Sequence, residues 1–416
     1  MISYTEALER TLAAVSPLEA CEVLLADLVG RVAAVDICAA MDSPSVDVSL
    51  KDGFALRSQD VRLASEDQPV HLRLLGRAAA GSAWSGEILP GSAVRILTGA
   101  PIPTGATAVL AEEFALVQGE AVLARAVAEP GRNIMPRASD IFTGQVLAGQ
   151  GQVLEPERIG LLAAAGFQKV PVIERVRVGI LATGDEVVAP GISLQEGQLY
   201  ASNLVALSAW CRQYGMQVSS AVARDQLDSL QEALEALLGH HDAILTSGGA
   251  WKGDRDLIVH ALDRMGWQKM YHRVRIGPGK AAGFGVLGGK PVFILPGGPP
   301  SNQMAFLQLA LPGLLKMSGY AHPSLPHLPV CLQHELRGQI DWTQFVYGRL
   351  SRDDGPLVFS KVDMPSRLQM MAQADSIVSI PEGIDHIPAG STCEAQLLSR
   401  SPAGSPSSAN AARSRE

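Results

Sequence analysis

The chain has 416 residues, of which 47% are hydrophobic and only 5% aromatic, and its formal net charge is −8. That length predicts two to four domains, and the acidic balance excludes a general nucleic-acid binder while leaving room for a local basic pocket. No apolar run is long enough to span a membrane, "MISYTEALERTL" lacks the basic-then-apolar form of a secretory leader, and the five scattered cysteines predict reduced thiols in a cytoplasmic protein.

In chain order, "SYTEALERTLAAV" predicts a helix from the spacing of its apolar residues. "PLEACEVLLADLVGRVAAVDI" reads as a helix or strand leading to a turn at Gly30, and "MDSPSVDVSLKDGFAL" as a loop. From Val70 onward, "VHLRLLGRAAAG", "SAVRILTG", "TAVLAEEFALV" and "AVLARAVAE" are short β-like runs separated by Gly and Pro. They predict a small β-rich module inserted into the first part of the chain. "EPERIGLLAAAGF" then reads as a helix with a glycine stop.

The next stretch alternates. "RVRVGILAT", "MQVSSAVA", "DAILTS", "KMYHRVRI" and "PVFILP" read as strands. "SNLVALSAWCRQYG" (capped by Ser202 or Asn203), "LDSLQEALEALLG", "DLIVHALDRMG" and "SNQMAFLQLALPGLLKMSG" read as helices, the last kinked at Pro312. His240 and His241 fall at a helix C-terminus, where a cation is favoured. Strands alternating with helices imply a parallel sheet covered on both faces. "VCLQHEL", "QFVYGRL", "SIVSIP" and "CEAQLL" predict a small barrel, and the tail from 399 to 416 is poor in bulky apolar residues and predicts disorder. The expected class is α/β plus β: a three-layer α/β/α domain at 175–322, an inserted β-rich module at 48–135, a linking domain from 1–47 and 136–174, and a C-terminal small β-barrel at 323–398.

In an open parallel sheet, ligands bind beyond the carboxyl ends of the strands. Three polar loops fall there: "ATGDEVV" (Ala182 to Val188), "TSGGAWKGDRD" (Thr246 to Asp256) and "LPGGPPSN" (Leu295 to Asn302). Their glycines let backbone N–H groups approach an anion, and "GPGK" (Gly277 to Lys280) adds a cation. Asp185, Glu186, Asp254 and Asp256 are hard oxygen donors of the kind Mg²⁺ uses when it bridges to phosphates. The set points to a phosphate-plus-metal crevice, whereas each loop alone is equally an ordinary turn with solvated charges. No Gly-x-Gly-x-x-Gly follows a strand, and no Walker A loop is present.

Up to about residue 398 the chain resembles the molybdopterin molybdenumtransferases, the cofactor enzymes related to the gephyrin E domain. "SLKDGFAL", "VRILTGAPIPTGATAVLAEE", "ATGDEV", "GQLYASN", "TSGGAWKGDRD", "GPGK", "LPGGPPS" and "SRLQMMAQAD" carry the resemblance, the second most specifically. It implies a homodimer in which adenylylated molybdopterin and Mg²⁺ are bound, molybdenum joins the dithiolene and AMP leaves. Molybdopterin adenylyltransferase and molybdoenzyme maturation proteins are further partners it brings to mind; nucleic acid and membrane are not.

Carried over by position, Asp52, Thr98, Asp140, Glu186, Asp225, Asp256 and Lys280 are the implied catalytic residues, with Asp52 and Thr98 supplied by the partner subunit. Thr183, Gly184, Asp185, Ser247, Gly248, Gly249, Pro296, Gly297, Gly298, Ser301, Ser366 and Arg367 are the implied ligand-binding residues, and Glu186 with Asp256 the metal pair. Gly277 and Tyr347 stand where the family has cations, Gly298 replaces Asn, and Ala201 and Gln226 replace Asp. Each lost charge-assisted hydrogen bond is worth about 1.5–3 kcal/mol. Lys252, Arg273, Arg275 and Arg349 are candidate substitutes for the lost cations. The alternatives to the transferase are a non-catalytic carrier of molybdopterin or its finished cofactor, and a nucleotide enzyme on the same sheet.

Overall fold

The computed structural model describes residues 1–82, 84–248, 257–352 and 355–398. At its centre is a six-stranded sheet in the order Gln217–Ala223, Arg177–Thr183, Ala243–Ser247, Lys290–Leu295, Gly283–Leu287, Gln268–His272. The first four strands run parallel, and the last two are added antiparallel.

The period-2 alternation of the strands builds both covered faces. Ile180, Leu245, Phe293 and Leu295 enter one core with Leu207 and Cys211 of the Ser202–Gln213 helix. Leu181, Ile244, Val292 and Ile294 enter the other with Leu230 and Leu234 of Leu227–His240 and Ile258 and Leu262 of Leu257–Arg264. At the end of Leu227–His240, the His241 ring bridges the Leu237 carbonyl (2.8 Å) and the Ser219 hydroxyl (2.6 Å).

Two local expectations are corrected, and the helix expected to kink at Pro312 gains detail. "KMYHRVRI" is two strands, Gln268–His272 and Val274–Gly277, because Arg273 adopts φ 69° and turns the chain out of the central sheet. Neither Ser202 nor Asn203 caps its helix; the cap is Ala201, with no side-chain bond, because the Asn203 amide is used elsewhere. Finally, Pro312 ends a π-turn: Pro299–Ala305 continues through Phe306–Ala310 into Leu311–Met317, and the Leu311 N–H reaches five residues back to Phe306. Proline has no N–H to give the regular turn.

Gly283–Leu287 carries no apolar alternation, so its sequence does not read as a strand. Its glycines answer to packing instead: a Cβ on Gly285 would lie 2.2 Å from the Trp267 indole nitrogen.

The β-rich insertion is a six-stranded sheet in the order Ala108–Ala111, Gly53–Leu56, Ser92–Ile96, Val70–Ala78, Ala121–Ala124, Ala115–Gln118. Gly53–Leu56, in the stretch expected to be loop, is a wholly buried strand, and its glycine is obligatory because a Cβ there would meet the Leu110 carbonyl at 2.0 Å. Ala20–Leu24 pairs with Lys169–Ile173, so the segments before and after the insertion share one core around Leu28, Ile37, Leu147, Leu162 and Val170.

At the C-terminus, Thr343–Ser351, Val358–Lys361, His327–Leu332, Thr392–Leu397 and Ser376–Ile380 close into a barrel through the pairing of the first with the last. The sheet continues through Val274–Gly277 to Ile2–Ser3, so the barrel is joined by backbone bonds to the chain that leaves the central sheet.

Candidate functional site

Three adjacent parallel strands deliver the candidate residues to one edge. Arg177–Thr183 ends in Thr183, whose hydroxyl donates to Asp225, and the Asp225 N–H reaches Asp185 at 3.3 Å. The next residue, Gly184, adopts φ 143°, and the Glu186 carboxylate folds back to within 2.9 Å of where its Cβ would be. Ala243–Ser247 ends in the buried Ser247, followed by Gly248 at φ 102°. Lys290–Leu295 leads into Pro296, Gly297 and Gly298, and Gly298 caps the Pro299–Ala305 helix.

Two asparagines lock these ends together. Asn203 donates to the Ser247 hydroxyl (3.2 Å) and the Gly297 carbonyl (2.7 Å). Asn302, 2% exposed, donates to the same hydroxyl (3.0 Å) and to the Pro296 carbonyl (2.8 Å). Sequence reasoning took Asn203 for a cap and passed over Asn302. The one available signal was an amide beside each Gly-rich turn, where the turn's exposed carbonyls need donors. Replacing Asn203 with alanine is expected to destabilise the protein by about 1–2 kcal/mol, read as a lower urea midpoint, and an unchanged midpoint would rule out the clamp.

The Gly277–Lys280 loop approaches from the barrel side. Gly277 pairs with Gln344 and is followed by a cis peptide to Pro278. The Cβ position of Gly279 lies 3.5 Å from the Ser301 carbonyl, which sets the loop against the first turn of the helix. Lys280 is exposed, with its Nζ 5.1 Å from the centre of the Trp342 ring.

Other expected site residues lie apart from this edge. Asp52 and Thr98 flank neighbouring strands of the inserted sheet, before Gly53–Leu56 and after Ser92–Ile96, and Asp52 accepts both the Thr98 N–H (2.7 Å) and its hydroxyl (2.8 Å). These bonds, with Arg95 and Arg77 nearby, hold the Asp52 carboxyl below its ordinary value of 3.8. A folded-state value that is depressed contributes stability above pH 3.8 that fades as pH falls through the lower folded value. Asp52→Asn is therefore expected to flatten the acid limb of stability below about pH 4, as urea midpoints taken across that limb would reveal.

Asp140 lies against the cis Ser43–Pro44 bond, its N–H bound to the Ser43 carbonyl at 3.0 Å. Ser366 caps the Arg367–Gln373 helix through the Gln369 N–H, and Arg367 is exposed in its first turn. Gly249 and Asp256, with Lys252, Asp254 and Arg255, lie outside the described residues. Among the described residues no three His, Cys, Asp or Glu form a metal cluster. The Glu186 carboxylate, folded back against Gly184, is the described half of the expected metal pair; Mg²⁺ takes one or two carboxylates and completes its shell with water and phosphate.

Comparison with known proteins decides the family. Residues 2–166 match the family described as the MoeA N-terminal region (domain I and II), and residues 179–316 match a probable molybdopterin binding domain. Molybdopterin molybdenumtransferase 2 of Mycobacterium tuberculosis is 32% identical over 87% of this chain and 91% of its own. The chain belongs to the molybdopterin molybdenumtransferase family. A Staphylococcus aureus molybdopterin molybdenumtransferase is 28% identical over 94% of both chains. A molybdopterin biosynthesis MoeA protein from Pyrococcus horikosii superposes with a TM-score of 0.81, at 31% identity, over 95% of this chain and 99% of its own.

The two positions where the resemblance implies cations, 347 and 277, are occupied in different ways. Tyr347 is 4% exposed in the core that joins barrel and sheet, and its hydroxyl donates to Gln303 at 3.2 Å. Burial pushes its pKa well above the ordinary tyrosine range, so it stays neutral. At Gly277, the Gln344 side chain lies 3.4 Å from where a Cβ would be. Ala201, where the resemblance implies an aspartate, is 5% exposed, enclosed and apolar. Of the candidate substitute cations, Arg275 is paired with Glu382 at 2.6 Å and Arg349 with the Gln373 carbonyl at 2.8 Å.

Proposed function

We propose that this chain is a molybdopterin molybdenumtransferase that acts on adenylylated molybdopterin: molybdate supplies the molybdenum, the dithiolene receives it, and AMP is released. The observation that carries this reading is the convergence of Thr183–Gly184, Ser247–Gly248 and Pro296–Gly298 at the carboxyl ends of three adjacent parallel strands, with the loop that carries Lys280 set against Ser301 of the helix that follows the third. Backbone groups at Gly184, Gly248 and Gly297 cradle the phosphates, because no Cβ keeps the ligand away. Asn203 and Asn302 hold the cradle rigid before substrate arrives, so little reorganisation is needed when charge develops.

Glu186 with Asp256 would hold Mg²⁺, which when bound neutralises charge on the pyrophosphate and the departing AMP. Lys280 holds the oxyanion from the barrel side. Asp52 and Thr98 act across a homodimer interface, where Asp52 keeps the Thr98 hydroxyl oriented. A cytoplasmic site follows from the thiol usage and from a reaction that needs a soluble nucleotide-bearing substrate.

The burial of Tyr347 and the absence of a side chain at Gly277 favour one other reading, a carrier that binds molybdopterin without turnover. One assay separates the two. Protein, adenylylated molybdopterin, Mg²⁺ and a molybdate series are mixed, and AMP release and molybdenum incorporation are followed. Saturable, molybdate-dependent AMP release supports the transferase. Tight pterin binding without such release sinks it and leaves the carrier, and sedimentation of the same sample tests the dimer.

A further inference from the structure

Lys280 is an exposed side chain on a four-carbon stem, yet its ammonium lies over the indole face of Trp342, 5.1 Å from the ring centre. The arrangement is produced by backbone pairing. Ile276 and Gly277 pair in parallel with Thr343 and Gln344, which places Trp342, the residue before that strand, beside the loop. Gln344 fills the space next to Gly277, and its Oε1 accepts from the Gln339 N–H at 3.2 Å, which fixes the strand's entry. On the opposite side, Gly279 sits against the Ser301 carbonyl. The loop is thus wedged between the helix that starts at the Gly297–Gly298 turn and the mouth of the barrel, and Trp342 forms the wall that its lysine meets. Trp342 is half-buried, so its ring is itself held by its surroundings.

An aromatic face attracts an ammonium through its quadrupole and shields one side of it from water. A lysine so held has fewer rotamers to lose when an anion arrives. With a glycine at 277 and a buried neutral tyrosine at 347, the loop has one cation to offer, and its placement matters correspondingly more.

We propose that Trp342 is a positioning residue for capture of a tetrahedral oxyanion: its indole face pre-sets the Lys280 ammonium at the barrel side of the cradle. This rests on the transferase reading above. The ring touches the lysine, and the lysine touches the anion.

The test uses the full-length protein and two variants that both keep apolar bulk, Trp342→Phe, which retains an aromatic face, and Trp342→Leu, which does not. Acetylation of Lys280 by acetic anhydride is quantified by mass spectrometry across a molybdate series, and KM for molybdate and kcat are measured in parallel. Molybdate is expected to protect Lys280 in the wild type. Trp342→Leu is expected to raise both the half-protecting concentration and KM about tenfold, and Trp342→Phe by less than about threefold, consistent with the strength of a cation–aromatic contact. In both variants kcat at saturating molybdate and the urea midpoint stay near wild type.

Equal shifts in the two variants, or none in either, overturn the role of the aromatic face and leave the transferase reading intact. Failure of molybdate to protect Lys280 in the wild type, with pterin still bound, overturns the transferase reading and the proposal with it.

Discussion

Gly248→Ala is expected to lower stability by about 2–4 kcal/mol and to cut molybdate-dependent AMP release by roughly 10²-fold. The stability figure combines strain at a left-handed backbone position, about 1–3 kcal/mol, with overpacking of similar size. At φ 102° an L side chain is strained whatever space it finds. Here it finds none: the new Cβ would lie 2.4 Å from the carbonyl oxygen of Thr183. That atom is backbone, so relief requires the end of Arg177–Thr183 to move, together with the Gly184 turn that follows. A displacement of order 1 Å in a positioning element is enough for a rate loss of that size.

Gly298→Ala is the matching control. A Cβ there meets nothing within 4 Å, and the residue has φ −69°. Its stability should stay near wild type, while any loss of pterin affinity reports ligand occupying that space. Urea midpoints and AMP-release rates measured on both variants decide the matter. A Gly248→Ala protein as stable and active as wild type would mean that the strand ends are not the cradle.

The second large effect is expected at Lys280. Lys280→Ala should lower kcat/KM for molybdate by about 10²–10³-fold, the range seen when one pre-organised charge stabiliser is removed from an active site. The lysine is exposed, so its loss should leave the urea midpoint nearly unchanged. The expected size reflects what surrounds it: Arg275 is occupied by Glu382, Arg349 by a carbonyl, and Tyr347 is neutral and enclosed. Lys280→Arg should recover part of the loss, because charge survives while the reach over Trp342 changes. Activity unchanged in Lys280→Ala would shift the oxyanion site to the loop that carries Lys252.

How much was legible can be argued from particular residues. The βα alternation, the glycine stops at Gly166 and Gly215 and the polar loops that follow Thr183 and Leu295 come from local patterning and are found where expected, while most of the loop that follows Ser247 lies outside the described residues. Gly283–Leu287 was not legible, because its glycines are selected by a tryptophan packed on them rather than by strand periodicity. Gly53–Leu56 was hidden in a loop-like stretch because a four-residue strand buried on both faces has no alternation to show. The run "KMYHRVRI" looked continuous, since a single left-handed residue at Arg273 leaves no compositional trace.

The sequence by itself determined the architecture class, the family and the turns that carry the ligand loops. Those properties depend on hydrophobic period and turn chemistry within a few residues, or on motifs that survive as strings. The tertiary structure alone decided that Asn203 and Asn302 clamp two strand ends through one serine, that Tyr347 is a buried neutral group, and that Lys280 rests on Trp342. In each case the partners are brought together by sheet order and by the pairing of Gly277 with Gln344, across 44 to 67 residues of chain. For the link from Lys280 to Trp342, 62 residues apart, no local pattern exists because neither residue influences the backbone of the other until the barrel has closed beside the sheet.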